Sequence, residues 1–164
     1  MRKNDVLKAL KGCLIVSCQA NEGEPMNGYP LVMQAMAKAV IAGGAKGIRA
    51  NTPSDIQSIR AITDLPIIGI YKQDYADSEI YITPTFKEVE EVIEAGSDIV
   101  ALDGTLRKRP NGETLESIIA KTKEKYPEIV KIPEKADGIL GAIIAGFIAG
   151  AACVLGLLKI IDKD

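Results

Sequence analysis

"AGGAKGIRA" at residues 42–50 and "AGSDIVALD" at residues 95–103 are two copies of one layout. In each, a helical segment runs into glycine, which accepts the left-handed conformation that stops a helix, and a short loop leads straight into an apolar strand. That joint returns a helix to a sheet, as a βαβ unit requires. Outward from it, "CLIVSC" (13–18), "KGIRA" (46–50), "PIIGIY" (66–71) and "DIVALD" (98–103) read as strands. They are apolar throughout rather than alternating, as expected when both faces of a strand are covered. Helical stripes lie between them: Ile56, Ile59 and Ile62; Val89, Val92 and Ile93; Leu115, Ile118, Ile119 and Thr122. The expected fold class is α/β, with a parallel sheet built from about four βα units.

The bulk composition narrows the chemistry. With 164 residues, 47% of them hydrophobic and 26% charged, the chain predicts one globular domain with room for an appendage. A net charge of -2 gives no electrostatic reason to expect a nucleic-acid partner, and no nucleic acid is expected. Cys13, Cys18 and Cys153 are odd in number and form no CxxC or Cys/His pattern, which argues for a reducing cytosol and against a disulfide framework or a structural zinc site. The chain has no histidine. Acid/base chemistry near neutral pH therefore falls to Lys, Glu, Asp, Tyr or Cys. The N-terminus lacks the long apolar run and cleavage site of a secretory signal.

A polar group stands at the carboxyl end of each strand: Gln19, Arg49, Lys72 and Asp103. In parallel α/β folds ligands bind at that edge, and in (β/α)8 barrels the catalytic groups come from the ends of several strands. The long loops, "QANEGEPMNGYP", "KQDYADSEIYITPT" and "DGTLRKRPNGE", follow the same strand ends. Each residue also has a plainer reading. Lys72 and Arg49 could be solvated strand termini, and Asp103 before Gly104 could be turn chemistry. Arg107, Lys108 and Arg109 could draw an anion, but a solvated loop is the preferred reading. Cys18 reads as a small buried strand residue rather than a nucleophile. Tyr75 and Tyr81 either line a sugar-sized pocket or cover the loop.

Taken together, "LIVSCQA" (14–20), "GGAKGIRANT" (43–52), "LPIIGIYKQDYADSEIYITPT" (65–85) and "DIVALDGTLRKRPNGE" (98–113) resemble the N-acetylmannosamine-6-phosphate 2-epimerases of sialic-acid catabolism, over about residues 8–128. The resemblance implies a TIM-type (β/α) barrel that interconverts N-acetylmannosamine 6-phosphate and N-acetylglucosamine 6-phosphate, with no metal or organic cofactor. It implies Lys72 as the catalytic lysine, with Gln19, Arg49 and Asp103 holding the amino-sugar phosphate. An amine at a dry strand end, its pKa lowered by desolvation or by a cation such as Arg49, can take the proton α to a carbonyl.

A complete barrel needs about 200 residues or more, and the βα units here are spent by residue 130. The expectation is a half barrel over 1–130, without the later strands that in the family carry a glutamate partner, a second arginine and the phosphate loops. A linker over 131–137 then leads into "GILGAIIAGFIAGAACVLGLL", Gly138–Leu158, and a tail over 159–164. The apolar segment is long enough to cross a bilayer core of about 30 Å at about 1.5 Å per residue and reads as a transmembrane helix. A helix covering the open sheet is the alternative. Lysines at 121, 123, 125, 131 and 135 outnumber Lys159 and Lys163, which puts the α/β part in the cytoplasm, tethered to the membrane. The rival to an epimerase is a membrane-attached half barrel without turnover. Open strand edges also allow a homodimer in which two copies close one barrel.

Overall fold

The computed structural model describes residues 3–127 and 129 of the chain. Four parallel strands, β1 (Ile15–Cys18), β2 (Gly47–Asn51), β3 (Ile67–Ile70) and β4 (Ile99–Val100), form one sheet in sequential order. Helix α1 (Lys3–Leu10) precedes the sheet, and α2 (Pro30–Ala42), α3 (Pro53–Arg60), α4 (Phe86–Glu94) and α5 (Leu115–Lys125) each follow a strand. This is an α/β fold of four βα units, as the sequence predicts.

The two quoted joints are the same structure. After α2, Ala45 N–H donates to Val40 O (3.0 Å) and Gly44 N–H to Ile41 O (2.9 Å), with Gly44 at φ 100°. After α4, Ser97 N–H donates to Val92 O (3.2 Å) and Gly96 N–H to Ile93 O (2.9 Å), with Gly96 at φ 106°. Both are Schellman stops, in which the left-handed residue lets its own amide and the next one cap the last carbonyls.

The register sets which side chains share a face. Ser17 lies opposite Arg49, Arg49 opposite Ile68, Ile68 opposite Ile99, and Asn51 opposite Ile70. The main core lies between the other face and the helices, where Cys18, Ile48, Ala50, Ile67 and Val100 meet Met33, Ile56, Val89 and Ile118. On the Ser17 and Arg49 face, the amino-terminal end of the sheet is covered by α1: Val6 and Leu10 pack on Ile15, Ile68 and Ile99. The carboxyl end of that face carries the polar groups.

The first three strands differ from the sequence reading by one or two residues at their ends, and two further boundaries bear on the site and the core. The fourth strand was expected over 98–103, and its ladder ends at Val100. Ala101 N–H still reaches Gly69 O (3.0 Å), but Asp103 N–H donates to Ile82 O (3.0 Å), so the loop after β3 takes over the pairing. Ile62 lies past the end of α3, in a turn held by its N–H on Ile59 O (3.1 Å), and still packs against the main core. Among the described residues no helix is long and apolar enough to cross a membrane. The expected linker, the apolar helix over 138–158, its membrane contact and the tail lie outside the described residues.

Candidate active site at the strand ends

Asn51 shares the Arg49 face of the sheet by strand alternation, and Gln19, Lys72 and Asp103 follow the carboxyl ends of β1, β3 and β4. Lys72 is fixed from three sides. Its backbone N–H donates to Asn51 Oδ1 (3.0 Å), and its Nζ donates to Asn21 Oδ1 (2.6 Å). It also pairs antiparallel with Ile82, because the loop over 71–83 folds back on itself through Gln73 N–H to Tyr81 O (2.9 Å) and Thr83 N–H to Tyr71 O (2.8 Å). Burial lowers the Lys72 pKa, the Arg49 guanidinium lowers it further, and the Glu24 carboxylate opposes both. Lys72 is therefore not a solvated terminus.

Arg49 stands on β2, its own pKa lowered by burial and raised by the neighbouring Tyr81 phenol. Gln19 and Ser17 bring buried side-chain oxygens, Oε1 and Oγ, that have no hydrogen-bond partner among the described residues. Buried polar atoms are almost always paired, so such oxygens mark a place where something else is bound or a cost is tolerated. Among the described residues no group of three or more His, Cys, Asp or Glu side chains could hold a metal ion.

Asp103 is held differently. Its Oδ1 accepts from Thr105 N–H (2.8 Å) and its Oδ2 from Arg107 (2.7 Å). Burial raises its pKa, but the Thr105 bonds and the Arg107 charge outweigh that and leave it below the ordinary value. These partners all come from its own loop, so the structure joins Lys72 to Arg49 and ties the Asp103 carboxylate into the turn that follows β4.

The neighbouring readings resolve in the same way. Arg107 pairs with Asp103 (2.7 Å) and Glu79 (3.6 Å), and Lys108 with Asp77 (3.9 Å). Arg109 corrects the solvated-loop reading: it is 2% exposed and donates to Pro84 O (3.0 Å) and to Asp103 O. The hydroxyl of Tyr75 donates to Glu88 Oε1 (2.8 Å), the buried carboxylate that also accepts from Thr85 N–H (2.8 Å) at the start of α4. Tyr75 therefore fastens the loop, whereas Tyr81 stands beside Arg49. Cys18 is fully buried in the main core. Sequence reasoning missed Asn21, Glu24 and Asn51. Asn51 carried a legible signal, a polar residue directly after an apolar strand, but Asn21 and Glu24 sit in a polar loop with no period to single them out.

Comparison with known proteins adds a family. A family model described as "Putative N-acetylmannosamine-6-phosphate epimerase" matches residues 33–146, running beyond residue 128, where the resemblance read from the sequence ends. A protein of Listeria monocytogenes described as "Putative N-acetylmannosamine-6-phosphate 2-epimerase" is 49% identical over 134 residues, covering 82% of this chain and 56% of its own length. One from Clostridioides difficile with the same description is 45% identical over 152 residues, covering 87% of this chain and 68% of its own. A solved N-acetylmannosamine-6-phosphate 2-epimerase of Clostridium perfringens superposes with a TM-score of 0.69 at 48% identity, over 73% of this chain and 52% of that one. The chain thus spans about half the length of the Listeria relative and of the solved structure. With a family match over most of the chain, and relatives near half identical across it, the chain belongs to the N-acetylmannosamine-6-phosphate epimerase family.

Proposed function

We propose that the chain carries the lysine-bearing half of an N-acetylmannosamine-6-phosphate 2-epimerase site, on a half (β/α) barrel over residues 1–130. Lys72 is the base that moves the proton at C2 between N-acetylmannosamine 6-phosphate and N-acetylglucosamine 6-phosphate. The observation that carries this reading is the setting of Lys72: an amine at the end of a central strand, hydrogen-bonded to Asn21 Oδ1, with burial and the Arg49 charge both lowering its pKa and so favouring its free-base form relative to a solvated lysine. The sequential parallel strands and the likeness to the Clostridium perfringens enzyme support the barrel.

The substrate reacts in its open-chain form. The Lys72 Nζ lone pair takes the C2 proton, the C2–H electrons form the C1–C2 double bond, and the carbonyl pair moves onto the C1 oxygen. Arg49 stabilises that enolate oxygen, a charge that develops only as the proton leaves. Gln19, with Ser17 beside it, offers sugar hydroxyls buried oxygens that have no partner among the described residues. Asp103 orders the rim of the site by gathering Thr105 and Arg107. Return of a proton to the opposite face of C2 completes epimerisation, and the resemblance assigns that step to a glutamate on a later strand. The proton removed is matched by the proton returned, so no oxidation or reduction occurs. The setting proposed for this chemistry is the cytoplasm.

The test is proton exchange at C2. The purified chain is incubated with N-acetylmannosamine 6-phosphate in D2O, and deuterium at C2 and the second epimer are followed by NMR. Exchange that is lost in Lys72→Met is the expected result. A folded chain that catalyses no exchange, or a Lys72→Met variant that exchanges at the parent rate, overturns the assignment.

A further inference from the structure

The side chain that orients Lys72 comes from the loop after β1, and it is itself clamped. Glu24 reaches back to Asn21 with both carboxylate oxygens: Oε2 accepts the Asn21 backbone N–H (2.7 Å) and Oε1 accepts the Asn21 side-chain amide (3.1 Å). With its Nδ2 tied to Glu24, Asn21 has one orientation in which its amide oxygen faces outward, and that oxygen accepts from Lys72 Nζ at 2.6 Å. We propose that Asn21, locked by Glu24, is the positioning residue for Lys72, holding one N–H of the amine so that its lone pair is directed at the proton to be removed. The proposal rests on the reading of Lys72 as the base.

The geometry has a physical rationale. A lysine side chain has four freely rotating bonds and its amine rotates about the last of them, so a lone pair without a fixed N–H partner samples many directions. One short bond to a rigid acceptor removes most of that freedom before substrate arrives, and pre-paid orientation is a large part of catalytic rate. Asn suits the position better than a carboxylate would: a neutral acceptor orients the amine without holding it as the ammonium. The charge sits one residue pair away, on Glu24. Among the described residues, the charged groups whose fields reach Lys72 are Arg49 from β2, which lowers its pKa, and Glu24 from the β1–α2 loop, which raises it. The loop thus supplies both the orientation and a counterweight to Arg49.

The experiment has an arm that does not need turnover. Lys72 in the intact chain is acetylated with acetic anhydride across a pH series, and the pH midpoint of its labelling is read by mass spectrometry. An acceptor favours the charged amine, so Asn21→Leu lowers the midpoint, by about one pH unit. Glu24→Gln removes the opposing charge and lowers it too, whereas Asn21→Asp puts a carboxylate against the amine and raises it. In the second arm, C2 exchange by Asn21→Leu falls roughly 10- to 100-fold in kcat with KM little changed, although more of Lys72 is free base at pH 7. Loss of rate despite a more available base separates positioning from simple pKa tuning.

Midpoints that coincide in all four proteins, or full exchange by Asn21→Leu, overturn the proposal. If the parent chain shows no exchange, the functional reading fails and the labelling midpoints still decide whether Asn21 and Glu24 hold Lys72.

Discussion

Thr52 joins β2 to α3 at φ 68° and ψ 145°, a combination open to glycine and strained for a β-branched residue. What holds it there is visible on both sides. Its N–H donates to Ile70 O (3.1 Å), and its hydroxyl caps α3 by accepting Asp55 N–H (3.3 Å). The residue before it, Asn51, is the one that receives the Lys72 backbone N–H. Replacing Thr52 with glycine removes a strain of about 1–3 kcal/mol and sacrifices a cap bond worth only a few tenths when glycine takes over. Thr52→Gly is therefore expected to raise stability by about 1 kcal/mol, read as a higher urea midpoint; a lower midpoint would show that the cap outweighs the strain. At this scale the sequence is partly legible. Lys72 and Arg49 stand out because each is a cation at the end of an apolar run. Asn51 is legible only as a polar residue ending an apolar run; its acceptor role exists only once β2 and β3 are in register.

The loop after β3 is the element that sequence patterns describe least well. It reads as a long acidic connection, yet it folds into a hairpin whose Ile82 extends the sheet past the end of β4. Polar side chains provide its anchors: Thr83 Oγ1 donates to Ala101 O (2.8 Å), Tyr75 reaches Glu88, and Ser78 Oγ donates to Lys108 O (2.8 Å). Arg109 closes the arrangement from below, joining Pro84 to Asp103 through two carbonyls. Bonds from a charged donor are worth about 1.5–3 kcal/mol each, offset by relief of a buried guanidinium when it is removed. For Arg109→Met the expectation is a net loss of about 2 kcal/mol, seen as a lower urea midpoint with the unfolding slope unchanged. An unchanged midpoint would mean that desolvation cancels the two bonds. The basic run in the sequence could not announce this, since burial of one arginine among three depends on where the neighbouring loop lies.

At the scale of the whole molecule the sheet has two different faces. One is buried under α2 to α5, and the other is sealed at its amino-terminal end by α1 and left polar at its carboxyl end. The seal depends on close approach: a Cβ at Gly47 would lie 2.5 Å from Leu10 Cδ2, so glycine makes room for the leucine. Leu10 is 2% exposed, and Leu10→Ala is expected to cost about 3 kcal/mol by the usual transfer and cavity terms. Thermal unfolding of that variant at the parent temperature would show that α1 is not part of the folded unit.

The alternation of strands and helices, the parallel sheet and the strand ends that carry polar groups were determined by the sequence alone, because apolar periodicity and glycine stops are local and act within a dozen residues. The seal by α1, the return of the β3 loop onto the sheet, the pairing of the Asp103 carboxylate with Thr105 and Arg107 and the clamp of Asn21 by Glu24 were decided only by the tertiary structure. The first two depend on distances between segments remote in the chain, and the last two on which hydrogen-bonding group finds a partner there.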